Sequence, residues 1–372
     1  MKLSAFVFSL LGTTSSLAAT GESVETSGYV KSYLVTTQPV TQSQNSLRLM
    51  AAAFRPRTAW QLHYELTPVV SSIELPFNST IANQRSWRLT DLKTRLDESS
   101  KHEIYQNLDR ANLQINFDAG DLTLGRQAIS FGMARVINPT DVFLPFDVRT
   151  FNTEYRIGVD AIRFERPLGQ LGEIDFGVVL GADARPETSA AFFQIRTNVR
   201  GRDLQFTATR FAEQNLLGAG MQAAVGPFGY WLEIASVTGE ANYVRASTGL
   251  DYAFTADTYG LVEYHYNGAG IDDPREYASL RETIAYQSGG VFLLGKHYLI
   301  PSVSTQLSPL WSLSTQAIIN LSDNSTFGSL SASWNLSQNA YLDTGVYLFS
   351  GDPTSEYGAN PDTLYASIRY YF

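Results

Sequence analysis

From residue 27 to residue 372 the sequence repeats one local pattern: apolar and polar residues alternate for about ten positions, then a turn breaks the run. Residues 111–127, ANLQINFDAGDLTLGRQ, show it well. Ala111, Leu113, Ile115 and Phe117 oppose Asn112, Gln114, Asn116 and Asp118; Asp118 to Asp121 turns the chain, and Leu122 and Leu124 resume the apolar side. The last ten residues behave alike, with Leu364, Ala366, Ile368, Tyr370 and Phe372 on one face and Tyr365, Ser367, Arg369 and Tyr371 on the other. Side chains with a period of two lie on the two faces of a β-strand. No stretch of convincing length carries the helical period.

The pattern predicts strands near 27–36, 46–54, 58–66, 111–117, 121–127, 158–166, 172–181, 190–199, 203–211, 215–225, 229–238, 243–254, 257–267, 292–303, 310–321, 326–336, 340–350 and 363–372. That is 18 strands, with 16 as the alternative. The connections sort by parity. RPRT, DAGD, RPLGQLG, RGRD, VGPFG, FTADT, QLSP and LSQN are all short. Every long one falls in the other set: 36–46, 67–109, 129–156, 268–291 and 351–362. Short turns at one rim and long loops at the other predict an all-β, transmembrane, antiparallel up-and-down β-barrel. A β-sandwich has no reason to sort its loops this way.

Hydrocarbon explains the alternation. Every backbone N–H and C=O must be paired there, and a closed sheet achieves this without an edge. Averaging an apolar outer face with a wet inner one hides the membrane signal, so mean hydropathy is only −0.12. No stretch reaches the ~18 apolar residues of a membrane helix. Trp60, Tyr230, Tyr266, Trp334 and Tyr370, at strand ends, suit interfacial aromatic girdles. Residues 1–19 read as a secretory signal peptide, with Lys2, a short apolar run and SSLAAT for cleavage. Residues 20–372 then form a single barrel domain, whose first strand starts too soon to leave room for a plug. There is no cysteine, hence no disulfide framework.

Chemistry is sparsely encoded. His63, His102, His265 and His297 are scattered, none with a partner at ligand spacing, so no metal is expected. His265 shares a face with Glu263, a pairing better explained by a polar lumen than by a general base. No G-x-S-x-G marks a nucleophilic serine, no loop cradles phosphate, and no enzyme or cofactor is expected. A net charge of −9 argues against nucleic acid as a partner.

Residues 121–166 stand apart: a clean strand gives way to an apolar, Gly- and Pro-containing stretch rich in arginine. A loop bathed in water has no need of Ile129, Phe131, Val136, Ile137, Val142, Phe143, Leu144 and Phe146. Folding of this extracellular loop, 129–156, back into the barrel mouth accounts for them, the alternative being packing on a neighbouring loop or subunit. The expected constriction carries Arg126, Arg135, Asp141, Arg149, Arg156, Asp160 and Arg163. Alternation places Arg126 outward with Leu122 and Leu124; either it lies near the outer rim and reaches the interface, or a bulge at Gly125 turns it inward, and the lumen is the expectation adopted. Elsewhere Arg196, Arg200, Glu233, Arg245, Asp251, Glu263, Asp343 and Arg369 are expected to line the lumen, beside Glu173 and Asp175.

The block LTLGRQAISFGMARVINPTDVF, followed by GVDAIRF, resembles porin-like barrels of the alginate-export type and related uncharacterised outer-membrane porins. Gly125, Arg126, Gln127, Gly132 and Arg135 match the first part of that pattern, and Asp160 and Arg163 the second. The match covers roughly 110–166; NPTDVFLPFD departs from the alginate exporters. The resemblance implies an 18-strand barrel and passage of a polar or anionic solute. The C-terminal strand, ending in Phe372, likewise resembles the signature read by the outer-membrane assembly machinery of Gram-negative bacteria.

The reading is thus a bacterial outer-membrane, porin-like channel for passive diffusion of small polar or anionic solutes. Its alternatives are a dedicated exporter of an anionic polysaccharide and a closed structural or adhesion barrel. Expected partners are the outer-membrane lipid and lipopolysaccharide, the assembly machinery and the solute. A homotrimer is left open, because an apolar strand face reads the same against lipid or a neighbour.

Overall fold

A computed structural model describes residues 24–73, 87–90, 94–98, 101–143, 156–287 and 290–372. The expected signal peptide and Arg149 lie outside them. The alternating runs form strands, each paired antiparallel with the next. The chain enters through β1 (Val24–Thr37), β2 (Val40–Phe54), β3 (Thr58–Ser71), β5 (His102–Phe117) and β6 (Gly120–Gln127). It continues through β7 (Val159–Leu168), β8 (Gly172–Leu180), β9 (Ala190–Val199), β10 (Arg202–Phe211), β11 (Gln214–Val225) and β12 (Phe228–Gly239). It finishes with β13 (Tyr243–Ala253), β14 (Thr258–Asn267), β15 (His297–Ser308), β16 (Trp311–Asn320), β17 (Ser325–Ser337), β18 (Ala340–Ser350) and β19 (Thr363–Tyr371). A five-residue strand, β4 (Thr94–Glu98), pairs only with β5, alongside the part that reaches beyond β6. With β3 joined directly to β5, the remaining strands close an 18-stranded barrel.

The seam joins the last strand to the first. β19 pairs with β1 from Tyr29↔Tyr371 to Thr37↔Thr363. Gly28 N donates to Phe372 O at 2.9 Å, and Phe372 N to Gly28 O at 3.0 Å. Phe372 thus continues the β1–β19 ladder, leaving no strand edge in hydrocarbon.

The face pattern follows the alternation. Leu62, Leu113, Ile162, Phe206, Leu217 and Leu348 are 41–68% exposed, so large apolar side chains make a continuous outer surface. Such a surface would be a liability in water and is what lipid requires. Aromatic rings gather at its rims. Trp311 and Trp334 stack across two strands at the short-turn end, centroids 5.1 Å apart, and Tyr266 packs with His297 at the other.

One expected loop is corrected. Residues 36–46 belong to the β1–β2 hairpin, in register from Val24↔Ala53 to Thr37↔Val40. TQSQNS has no bulky apolar residues, yet alternation inside a barrel tolerates polar side chains on both faces where a hairpin rises above the membrane. The expected 67–109 loop is likewise narrower, because β3 runs on to Ser71 and β5 begins at His102.

Candidate functional site

The chain leaves β6 at Gln127 and turns inward, crossing the lumen as residues 128–143. Ile129, Phe131, Val142 and Phe143 are buried at 0–3% exposure among Phe192, Phe211, Leu216 and Val237 of the wall. Phe131 lies 5.1 Å from Phe192 and 5.6 Å from Phe143, ring to ring. Ile137 joins a second cluster with Tyr298, Ile300, Ile318 and Phe327. Gly132 sits at φ +123°, where a Cβ would collide with the Asn138 side chain; only glycine makes this turn without strain.

A buried loop must find partners for its backbone, and two wall carboxylates supply them. Glu233 Oε2 accepts from the N–H of Met133 and Ala134 at 2.6 and 2.8 Å. Its Oε1 accepts from the N–H and hydroxyl of Thr140 at 2.8 and 2.7 Å. Glu263 takes the intervening segment: Oε2 accepts from Arg135 N and Val136 N at 3.0 and 3.1 Å, and Oε1 from Ile137 N at 2.8 Å. The Trp231 indole N–H completes its set at 2.9 Å. Wall donors meet the loop carbonyls. Ser247 Oγ donates to Ile137 O at 2.6 Å, Arg245 Nη2 to Pro139 O at 2.5 Å, and Gln222 to Met133 O. Glu233 and Glu263 are both 0% exposed. Charge-assisted bonds in such surroundings are the strong kind.

Other predicted residues fall into separate places. Arg135 projects from the loop, 45% exposed, with Nε 3.4 Å from Asp251 and its guanidinium over the Trp231 ring. Asp141 is buried and receives Arg156 Nη1 at 2.6 Å. Arg163 clamps Asp175 through two bonds of 2.9 and 2.7 Å and reaches Glu165 at 2.8 Å. The carboxylates of Glu165, Glu173 and Asp175 lie close enough to share a cation, but Arg163 already bridges two of them. Arg369 and Asp343 form a bidentate pair at 2.6 and 2.7 Å. Arg196 lines a lumen recess of about 310 Å³ with Met133, Gln205 and Gln222. Arg245 is buried against the loop rather than open to solvent. Arg200 is on no strand: it forms the tight β9–β10 turn with Gly201, at φ 56° and 77°.

Arg126 and Asp160 face away from the lumen. Arg126↔Asp160 and Leu124↔Ile162 are successive even pairs of an unbroken register, and Ile162 is 49% exposed on the outer surface. The register is also unbroken between Asn112↔Gly125 and Ala111↔Arg126, so the bulge expected at Gly125 is absent. Charge is accommodated there by pairing. Arg126 Nε and Nη2 bond Asp160 at 2.7 and 2.9 Å, and its other donors reach Leu108 O at 2.8 Å and Thr90 O at 2.9 Å. Leu89 N adds a 2.9 Å bond to Asp160, so residues 87–90 cover the pair.

Sequence reasoning overlooked a second buried cluster. A bulge in β5 inserts Asp109 between Leu108↔Tyr64 and Arg110↔His63. Asp109 accepts from Arg48, and lies 2.9 Å from Arg110 and 3.8 Å from Arg88. The adjacent charges Asp109-Arg110, a break in alternation, were the available signal. At the long-loop rim, Lys296 donates to Asp272 at 2.8 Å, holding that carboxyl below its ordinary range and the ammonium above its own.

No family profile matches the sequence, and no curated protein matches it. Solved structures do. Pseudomonas aeruginosa OccD3 (OpdP) superposes with a TM-score of 0.59 at 8% identity, covering 94% of this chain and 91% of that one. Acinetobacter baumannii OccAB4 gives 0.59 at 9% identity, covering 94% and 98%. Pseudomonas aeruginosa OpdK, solved with vanillate, gives 0.58 at 8% identity, again over 94% and 98%. At such identities the likeness is one of fold: a closed barrel shared with bacterial outer-membrane proteins.

Proposed function

We propose that this chain is a porin-like channel of a Gram-negative outer membrane, passing small polar solutes passively through a lumen narrowed by residues 128–143. The observation that carries this reading is the pinning of that loop by Glu233 and Glu263. A barrel that merely filled its lumen with apolar packing has no need to hold a loop by seven directed hydrogen bonds to two wall carboxylates. Pinning sets the width of a water-filled path, and Arg135 and Asp251 place charge on it. The outer apolar belt, the aromatic rims and the sorted turns support the membrane setting. The Phe372 seam supports assembly through the C-terminal strand.

Single-channel conductance in a planar bilayer, with reversal potential under a salt gradient, tests the proposal. Steady conductance is expected from the wild type, rising when residues 129–143 are shortened. Silence from both proteins would overturn the channel and leave a structural barrel.

A further inference from the structure

Three adjacent strands of the lumen wall are free of charge, flanked by Glu263 of β14 on one side and the Arg369–Asp343 pair on the other. β5 to β9 carry the Arg163–Asp175–Glu165 and Asp109 groups, whereas β15, β16 and β17 contain no Asp, Glu, Lys or Arg at all. On these strands Ile300, Ile318 and Phe327 face inward at 0% exposure and pack in one cluster with Ile137. Two and four residues further toward the short-turn rim, the same inward face changes character. It presents Gln316 and Ser314, then Ser312, in register with Ser302, Ser304 and Gln306.

Gln306, Ser312 and Ser314 are exposed and Gln316 is half-buried. Their side chains make no hydrogen bond to another side chain among the described residues. This contrasts with the acids and arginines across the lumen, which neutralise one another. The wall therefore offers neutral donors and acceptors directly below the pinned loop. Beside it stand the lumen-facing Tyr365 and Tyr347, centroids 5.4 Å apart, whereas the ring of Tyr341 further along carries the Arg369 guanidinium. The half-buried Tyr365 ring, backed by the buried Tyr347, adds an apolar face to the same sector.

We propose that this wall is a binding surface for an uncharged, polyhydroxylated solute of monosaccharide to disaccharide size; the inference rests on the channel reading above. An ion gains nothing from a neutral wall and loses hydration there. A sugar exchanges its water hydrogen bonds for Ser and Gln partners one for one, and lays its C–H face on the Tyr365 ring. Neutral hydrogen bonds are weak enough to release the solute again.

The test compares glucose with gluconate, a carboxylate of similar size, by liposome swelling, after salt conductance has established the pore. Glucose is expected to enter faster than gluconate. The double substitution Ser314→Ala and Gln316→Leu deletes the polar groups without adding bulk. It is expected to slow glucose entry by about tenfold, the scale of losing a few neutral hydrogen bonds, with salt conductance unchanged. Faster gluconate entry, or an unaltered glucose rate in the conducting double variant, would overturn this inference alone. No salt conductance in the wild type would overturn the channel and the inference together.

Discussion

Thr140 donates twice to one oxygen: its backbone N–H and its hydroxyl reach Glu233 Oε1 at 2.8 and 2.7 Å. The same carboxylate holds Met133 and Ala134 through its other oxygen, so one wall residue closes both ends of an eight-residue span, 133–140. The constriction is thereby tied to β12 at two points, with Glu263 of β14 holding the residues between.

Glu233→Gln is expected to loosen the loop without opening the barrel. The amide nitrogen cannot accept, so two of four bonds are lost, on the order of 3–6 kcal/mol at the strength of charge-assisted hydrogen bonds. Bilayer recordings should show higher, noisier conductance, while the heat-dependent shift in gel mobility of the folded barrel persists. Adding Glu263→Gln should give less than the sum of the single effects, since both carboxylates hold one segment.

Arg135→Glu reverses a charge that stands 45% exposed beside Asp251. Under a salt gradient the reversal potential is expected to move toward cation preference. Arg135→Lys should shift it little, because the sign of the charge survives. An identical potential in wild type and Arg135→Glu would place this side chain off the conducting path.

The Arg126–Asp160 pair separates stability from conduction. Arg126→Leu leaves a half-covered carboxylate alone on the outer face, a loss of about 3–5 kcal/mol by analogy with broken buried pairs. Unfolding in urea or heat should shift accordingly, and the double change Arg126→Leu with Asp160→Leu should recover much of it. Single-channel conductance should remain at the wild-type level in whatever fraction folds, since neither group faces the lumen.

Gly28→Val targets the seam. A Cβ at this position collides with Arg48 O and comes within 2.6 Å of the Phe372 ring. The β1–β19 ladder should then fail to close at its short-turn end. The expected result is a lower yield of folded barrel in membranes, measured by gel mobility before and after heating; deletion of Phe372 should have the same sense.

Much of this protein is local and therefore readable along the chain. The pleat imposes a period of two on every strand, so Leu113, Leu124 and Ile162 announce an outer face, and the parity of turns and loops announces a closed barrel. The apolar content of 129–143 already implied a packed loop. Arg126 marks the edge of that reasoning: its parity with Leu124 was visible, but the surroundings that make an outward charge tolerable, Asp160 and the carbonyls of Thr90 and Leu108, come from three other segments. The same holds for the 36–46 hairpin, whose polar residues are strand only because a neighbour pairs with them.

Glu233 and Glu263 were visible as polar positions on alternating strands, with nothing nearby to say what they hold. Their partners lie 93 to 128 residues away in the chain. Which backbone N–H meets which carboxylate depends on sheet closure, register and the path of a loop across the lumen, and these are properties of the assembled barrel. Alternation decides which side of the sheet a residue occupies; only the closed structure decides what it meets there.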